Sequence, residues 1–146
     1  MKILIINGPN LNMLGIREKH LYGAQDYAAL CEYVRDQGRR LNTEVELYQS
    51  NHEGDLVDCI QNAYQRIDGI VINPGAYTHT SVALLDALKA VSIPAVEVHM
   101  SDIQKREEFR HLSVTAPACI AQIRGHGFES YTMAIDMLAK LNPEEK

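Results

Sequence analysis

Residues 69–101 read GIVINPGAYTHTSVALLDALKAVSIPAVEVHMS, and this stretch decides the fold class. Gly69 to Asn73, GIVIN, is a short apolar run bounded by turn residues, the pattern of a buried strand. Ser81 to Val91 carries its apolar residues at helical spacing, and Pro94 to Met100, PAVEVHM, returns to a strand. Strand, helix and strand in that order predict a crossover between parallel strands, with a right-handed connection. The same alternation runs outward in both directions. Upstream lie a strand KILIIN, Lys2 to Asn7, and a helix from about Asp26 to Arg40. That helix has Ala29, Leu30, Tyr33 and Val34 on one face and Asp26 as N-cap. EVELYQ, Glu44 to Gln49, alternates as a strand exposed on one side does near a sheet edge, and a helix over about Glu53 to Arg66 follows. Downstream come a short charged turn or helix, DIQKREEF, a strand CIAQIRG and a last helix from Glu129 to Leu141. Five strand and helix pairs predict an α/β fold: a doubly wound parallel sheet with helices on both faces.

Composition narrows what such a fold could do. At 146 residues and 46% hydrophobic the chain is expected to form one domain, 1–146, without linkers or repeats. A domain of this size buries roughly 70% of its unfolded surface, so neither disulfide nor metal is needed for folding. Cys31, Cys59 and Cys119 lie in apolar segments without CxxC spacing, as buried free thiols of a reducing compartment do. Met1-Lys2 runs straight into a strand, and no apolar stretch approaches the roughly 20 residues that cross a bilayer. The expected location is the cytoplasm, with no membrane partner. The net charge is −5 and no basic stripe is present, which argues against a nucleic-acid partner. Any anionic ligand must be met by local donors.

In doubly wound sheets ligands bind beyond the carboxyl ends of the strands, where this sequence concentrates its polar groups. The first strand is followed by Asn7, Asn10, Arg17 and Tyr22, the third by Asn73 and His79, and the fourth by Glu97, His99 and Ser101, with Arg110 beyond. Tyr22 and Arg17 share the loop GPNLNMLGIREKHLYG. A free Tyr is only about one part in a thousand ionised at pH 7. A guanidinium about 4 Å away, at an effective dielectric near 20, favours the phenolate by roughly 4 kcal/mol, enough to make a base near neutrality. The alternative is a core-capping Tyr22 and a solvated Arg17. Glu97 and His99, two apart on a strand, point to the same face. A carboxylate on one imidazole nitrogen fixes the tautomer and favours the protonated ring, as a general acid requires; a structural pair is the alternative. Asn73-Pro74-Gly75 also reads as a plain turn. Lys105, Arg106, Glu107 and Glu108 read as a solvated charged face, to which Arg110 could equally belong. His20, His52, His111 and His126 lack metal-ligand spacing and read as structural or surface residues. GPNLNMLG fits neither GxGxxG nor GxxxxGK[ST], and no serine lies in a GxSxG elbow.

The segments INGPNLNMLG, REKHLYG, QSNHEGDLVDCIQ, INPGAYTHTSVALLDAL, VEVHMSDIQKREEFRHLS and RGHGFESY resemble type II 3-dehydroquinate dehydratase, the type II dehydroquinase, over essentially the whole chain. The resemblance implies a flavodoxin-like five-stranded sheet of order 2-1-3-4-5 and trimers assembled into a homododecamer. It implies dehydration of 3-dehydroquinate to 3-dehydroshikimate in the shikimate pathway or in quinate catabolism, with no cofactor and no metal. Residue by residue, it implies Tyr22 as base, Arg17 holding it ionised, Asn10 positioning a water at the enolate oxygen, and His99, oriented by Glu97, as acid. Asn73, Ser101 and the amides of Met100 and Ser101 would hold the substrate carboxylate. His79 and Arg110 would bind ring hydroxyls, and Asp86 would reach the ring from a neighbouring subunit. On helical spacing alone Asp86 is a polar face residue. The chain departs from the family pattern at Lys19-His20, at Asp102, Gln104 and Lys105, and at Arg124 and His126. The rival readings are a flavodoxin-like protein that binds a small anion or nucleotide without chemistry, and a metal-assisted lyase or hydrolase.

Overall fold

The computed structural model describes residues 1–16 and 25–141. Five strands, β1 (Lys2–Asn7), β2 (Glu44–Gln49), β3 (Gly69–Asn73), β4 (Ala95–His99) and β5 (Ala121–Arg124), form one parallel sheet. Its order is β2-β1-β3-β4-β5, the flavodoxin-like arrangement that the resemblance implies. The helices are α1 (Tyr27–Arg40), α2 (Glu53–Asn62), α3 (Val82–Val91) and α4 (Glu129–Ala139). Alternation within the strands sorts the core into two layers. Ile3, Ile5, Val71, Val96 and Val98 face α1 and α4, which supply Leu30, Val34, Tyr131, Ile135 and Leu138. Leu4, Ile6, Ile70 and Ile72 face α2 and α3, which supply Leu56, Ile60, Leu84 and Leu88. β3, sandwiched between both layers, is buried throughout, whereas the edge strand β2 is partly exposed along its length.

Local signals explain where several elements begin. The Asp26 carboxylate accepts the Ala29 N–H at 2.8 Å, and Ser81 Oγ accepts that of Leu84 at 3.0 Å, so both helices start on side-chain caps.

Four elements are shorter than the sequence predicts. α2 stops at Asn62 rather than Arg66, because a tight turn with Arg66 N–H on the Ala63 carbonyl and Gln65 in the left-handed region (φ 61°) drops Ile67 into the core. α4 ends at Ala139, not Leu141, with Lys140 as its C-cap. β5 starts at Ala121 rather than Cys119, since Ala116–Ala118 form a 3-10 turn built on Pro117. β4 is one residue shorter at each end than predicted. The segment after β4, expected as a short charged turn or helix, takes the turn form: β4 reaches β5 through 3-10 turns at Ile103–Lys105, Glu108–Arg110 and Ala116–Ala118. All three cysteines are half-buried rather than fully buried. Burial pushes the Cys59 thiol up to about 11 and that of Cys119 to about 12. Among the described residues no helix is long and apolar enough to cross a membrane.

Candidate active site

The chain after β1 and the chain after β3 dovetail over the top of the sheet. Gly8 donates its N–H to the Asn73 carbonyl at 2.8 Å, and a Cβ on Gly8 would lie 2.4 Å from the Pro74 carbonyl oxygen. Gly75, in the left-handed region at φ 60°, would meet the Pro9 carbonyl oxygen at 2.9 Å if it carried a Cβ. Gly-Pro-Asn after one strand and Asn-Pro-Gly after its neighbour therefore interlock through backbone that only glycine allows. Asn73-Pro74-Gly75 is a turn, as its composition suggests, and it also forms a wall of the site.

Beyond this platform lies a crevice lined by Asn10, Asn73, His79, His99, Met100, Ser101 and Arg110 among others. The ends of β1, β3 and β4 thus converge as the sequence predicts. Asn10 sits in the left-handed region (φ 71°), a conformation Asn tolerates better than most residues, and Asn51 Oδ1 accepts its N–H at 3.0 Å. His79 Nδ1 contacts the Leu112 carbonyl at 2.8 Å. A carbonyl can only accept, so Nδ1 carries the proton. Arg110 Nε donates to Glu107 at 2.8 Å while the residue lines the crevice. Arg106 lines it too, although the sequence placed it on a solvated charged face. The 3-10 turns on either side carry residues 106 and 110 back to the strand ends.

Glu97 and His99 are the buried charge centre of the site. Glu97 is fully buried and His99 is 6% exposed, and His99 Nε2 donates to Glu97 Oε2 at 2.9 Å. The same oxygen faces Thr78 Oγ1 at 3.0 Å, Ser113 Oγ at 2.8 Å and Gln122 Nε2 at 2.7 Å, while Thr115 Oγ1 donates to Oε1. Burial acts to raise this carboxyl. The His99 hydrogen bond and charge, with the bonds from Thr115 and Gln122, outweigh it and bring Glu97 down to about 2. With Nε2 engaged by Glu97, Nδ1 is the nitrogen through which His99 can pass a proton to a ligand.

Gln122, Thr78, Ser113 and Thr115 escaped the sequence reading. Gln122 alone carried a signal, a polar side chain inside an apolar strand, and it lies beside Glu97 in the β4–β5 register. Behind it, Arg124 donates to Gln122 Oε1 at 2.9 Å and to Asp102 at 3.0 Å. Two of the positions that depart from the family pattern are therefore partners of each other.

Asp86 lies on the exposed side of α3 and does not line this crevice. Arg17 and Tyr22, with Lys19 and His20, lie outside the described residues. The points flanking them are close together: a Cβ on Gly15 would lie 3.0 Å from Asp26 Cα, next to Leu14, which lines the crevice. Among the described residues no group of three or more His, Cys, Asp or Glu side chains is placed to hold a metal ion.

The family model described as dehydroquinase class II matches residues 1–139. A 3-dehydroquinate dehydratase of Clostridium perfringens (strain SM101) is 59% identical over 141 residues, covering 96% of this chain and 97% of the relative. One from Clostridium acetobutylicum is 57% identical over 97% of this chain and 98% of its own. The crystal structure of a type II dehydroquinase from Butyrivibrio crossotus superposes with a TM-score of 0.93 at 59% identity, covering 94% of this chain and 97% of that one.

Proposed function

The chain belongs to the class II dehydroquinase family, the 3-dehydroquinate dehydratases, and from that premise we propose how its own residues remove water from 3-dehydroquinate to give 3-dehydroshikimate. Tyr22, ionised with the help of Arg17, takes a proton from the carbon beside the ring ketone, and the electron pair left behind moves onto the ketone oxygen as an enolate. Asn10 holds a water that donates to that oxygen where the charge develops. The enolate collapses, the carbon–oxygen bond to the leaving hydroxyl breaks, and His99 supplies the proton that lets the group depart as water. Glu97 keeps the imidazole oriented and compensates its charge. Base and acid stand on opposite faces of the ring, so the elimination is anti.

Substrate binding follows from the crevice wall. Asn73, Ser101 and the amides of Met100 and Ser101 hold the carboxylate, which lets an acidic protein bind an anion through local donors. His79 and Arg110 bind ring hydroxyls. Asp86, outside the crevice of its own chain, reaches the ring of a neighbouring subunit within a trimer, and four trimers form a dodecamer. The pathway role is the shikimate route to aromatic amino acids.

The observation that carries this reading is the buried His99–Glu97 pair on the wall of a crevice whose other polar groups are amide, hydroxyl, imidazole and guanidinium donors. The test is the ultraviolet rise of the conjugated enone when chelator-treated protein meets 3-dehydroquinate. Turnover is expected, and Tyr22→Phe and His99→Ala should each lower kcat by about 10²- to 10⁴-fold. Folded, oligomeric protein that binds 3-dehydroquinate without an absorbance change would instead make this a binding protein.

A further inference from the structure

Tyr131 is 0% exposed, sits on α4 and does not line the crevice. Its hydroxyl donates to Asn7 Oδ1 at 2.6 Å and accepts from Asn73 Nδ2 at 3.0 Å. Asn73 Oδ1 in turn accepts the Gly75 N–H at 3.2 Å. Each end of the Asn73 amide thus meets a group of opposite character. If the amide were turned over, its NH2 would face the Gly75 N–H, donor against donor, in a region where an unmatched polar group is costly. The Tyr131 proton is committed to Asn7, so the hydroxyl presents a lone pair to Asn73 and reinforces the same orientation. One N–H of the Asn73 amide then remains for the crevice.

We propose that Tyr131 is a positioning residue for substrate binding: by accepting from Asn73 and donating to Asn7, it fixes the Asn73 side chain with a donor turned toward the substrate carboxylate. The inference rests on the reading of Asn73 given above as a carboxylate-binding residue. It links the last helix to the ends of β1 and β3 through one hydroxyl, across 124 residues of sequence in the Tyr131–Asn7 bond.

The test is steady-state kinetics with 3-dehydroquinate for Tyr131→Phe, Asn73→Ala and the double variant, at a temperature where circular dichroism shows each folded. Tyr131→Phe removes one oxygen and keeps the ring. KM should rise about tenfold or more, the scale of a hydrogen bond to a charged group, with kcat little changed. In the Asn73→Ala background the added Tyr131→Phe change should leave KM where it was. A KM unchanged in Asn73→Ala overturns the role of Asn73 and with it this proposal. A KM raised in Asn73→Ala but unchanged in Tyr131→Phe, or effects that multiply in the double variant, overturns the role of Tyr131 alone. Should Tyr131→Phe fail to fold, the Asn7 pair decides. Asn7→Asp still accepts from the hydroxyl and should keep KM closer to that of the unaltered chain than Asn7→Leu, which removes the acceptor of the hydroxyl proton and should raise KM. Equal values for the two overturn the proposal.

Discussion

Glu97 keeps its charge in a buried position because its carboxylate is met by donors from several parts of the chain. Its folded-state value lies at about 2 against a usual 4.5, so the ionised form favours the folded protein. That contribution, on the order of 3 kcal/mol, is complete above the unfolded value and is lost as pH falls from about 4.5 toward 2. Urea unfolding from pH 6 down to pH 2 should show this loss, while Glu97→Gln should be less stable at pH 6 and flatter below pH 5. Parallel curves for the two proteins would remove Glu97 as the origin of the acid sensitivity. The Glu97–His99 pair was legible in the sequence because strand periodicity puts residues two apart on one face. Thr78, Ser113 and Thr115 were not, since they reach the carboxylate from loops and 3-10 turns that have no periodicity to read. Arg106 was misread for a related reason: its charged neighbours suggested solvent, and only the path of the turns brings it to the crevice.

Strands were the most legible elements because burial constrains both their length and their composition. β1, β2 and β3 have the predicted limits. Helix ends were less legible where the stop signal was a non-glycine residue in the left-handed region, as at Gln65, or where the C-cap was an ordinary right-handed residue, as at Lys140. The link between β4 and β5 could not be read as 3-10 turns, since three-residue turns leave no amphipathic pattern. Helices α2 and α3 pack side by side on one face of the sheet, and their N-termini are joined by a single side chain. Ser81 caps α3 and its hydroxyl also donates to Glu53, the first residue of α2. Ser81→Ala removes both bonds and should destabilise the protein by about 1–2 kcal/mol, seen as a Tm several degrees lower, and Ser81→Thr should recover most of it.

At the scale of the whole molecule, the site lies where the strand order reverses, β1 and β3 being neighbours with their connections on opposite faces of the sheet. One chain supplies the crevice, while Asp86 faces outward from α3. The proposed trimer makes a specific demand on mixtures. Asp86→Ala and Tyr22→Phe, each impaired alone, should regain enone-forming activity when unfolded and refolded together, because some crevices then receive an intact Tyr22 from one subunit and an intact Asp86 from another. Mixtures no more active than their components would confine the site to one chain. The interlock of Gly8 with Pro74 and of Gly75 with Pro9 has a further consequence for how this sequence can diverge. A clash with a side chain can be relieved by trimming that side chain, but here each obstacle is a carbonyl oxygen of the main chain, which every amino acid brings with it. No second-site substitution can clear the space, so both positions are closed to compensatory change and drift in the rest of the loop must proceed around two fixed glycines.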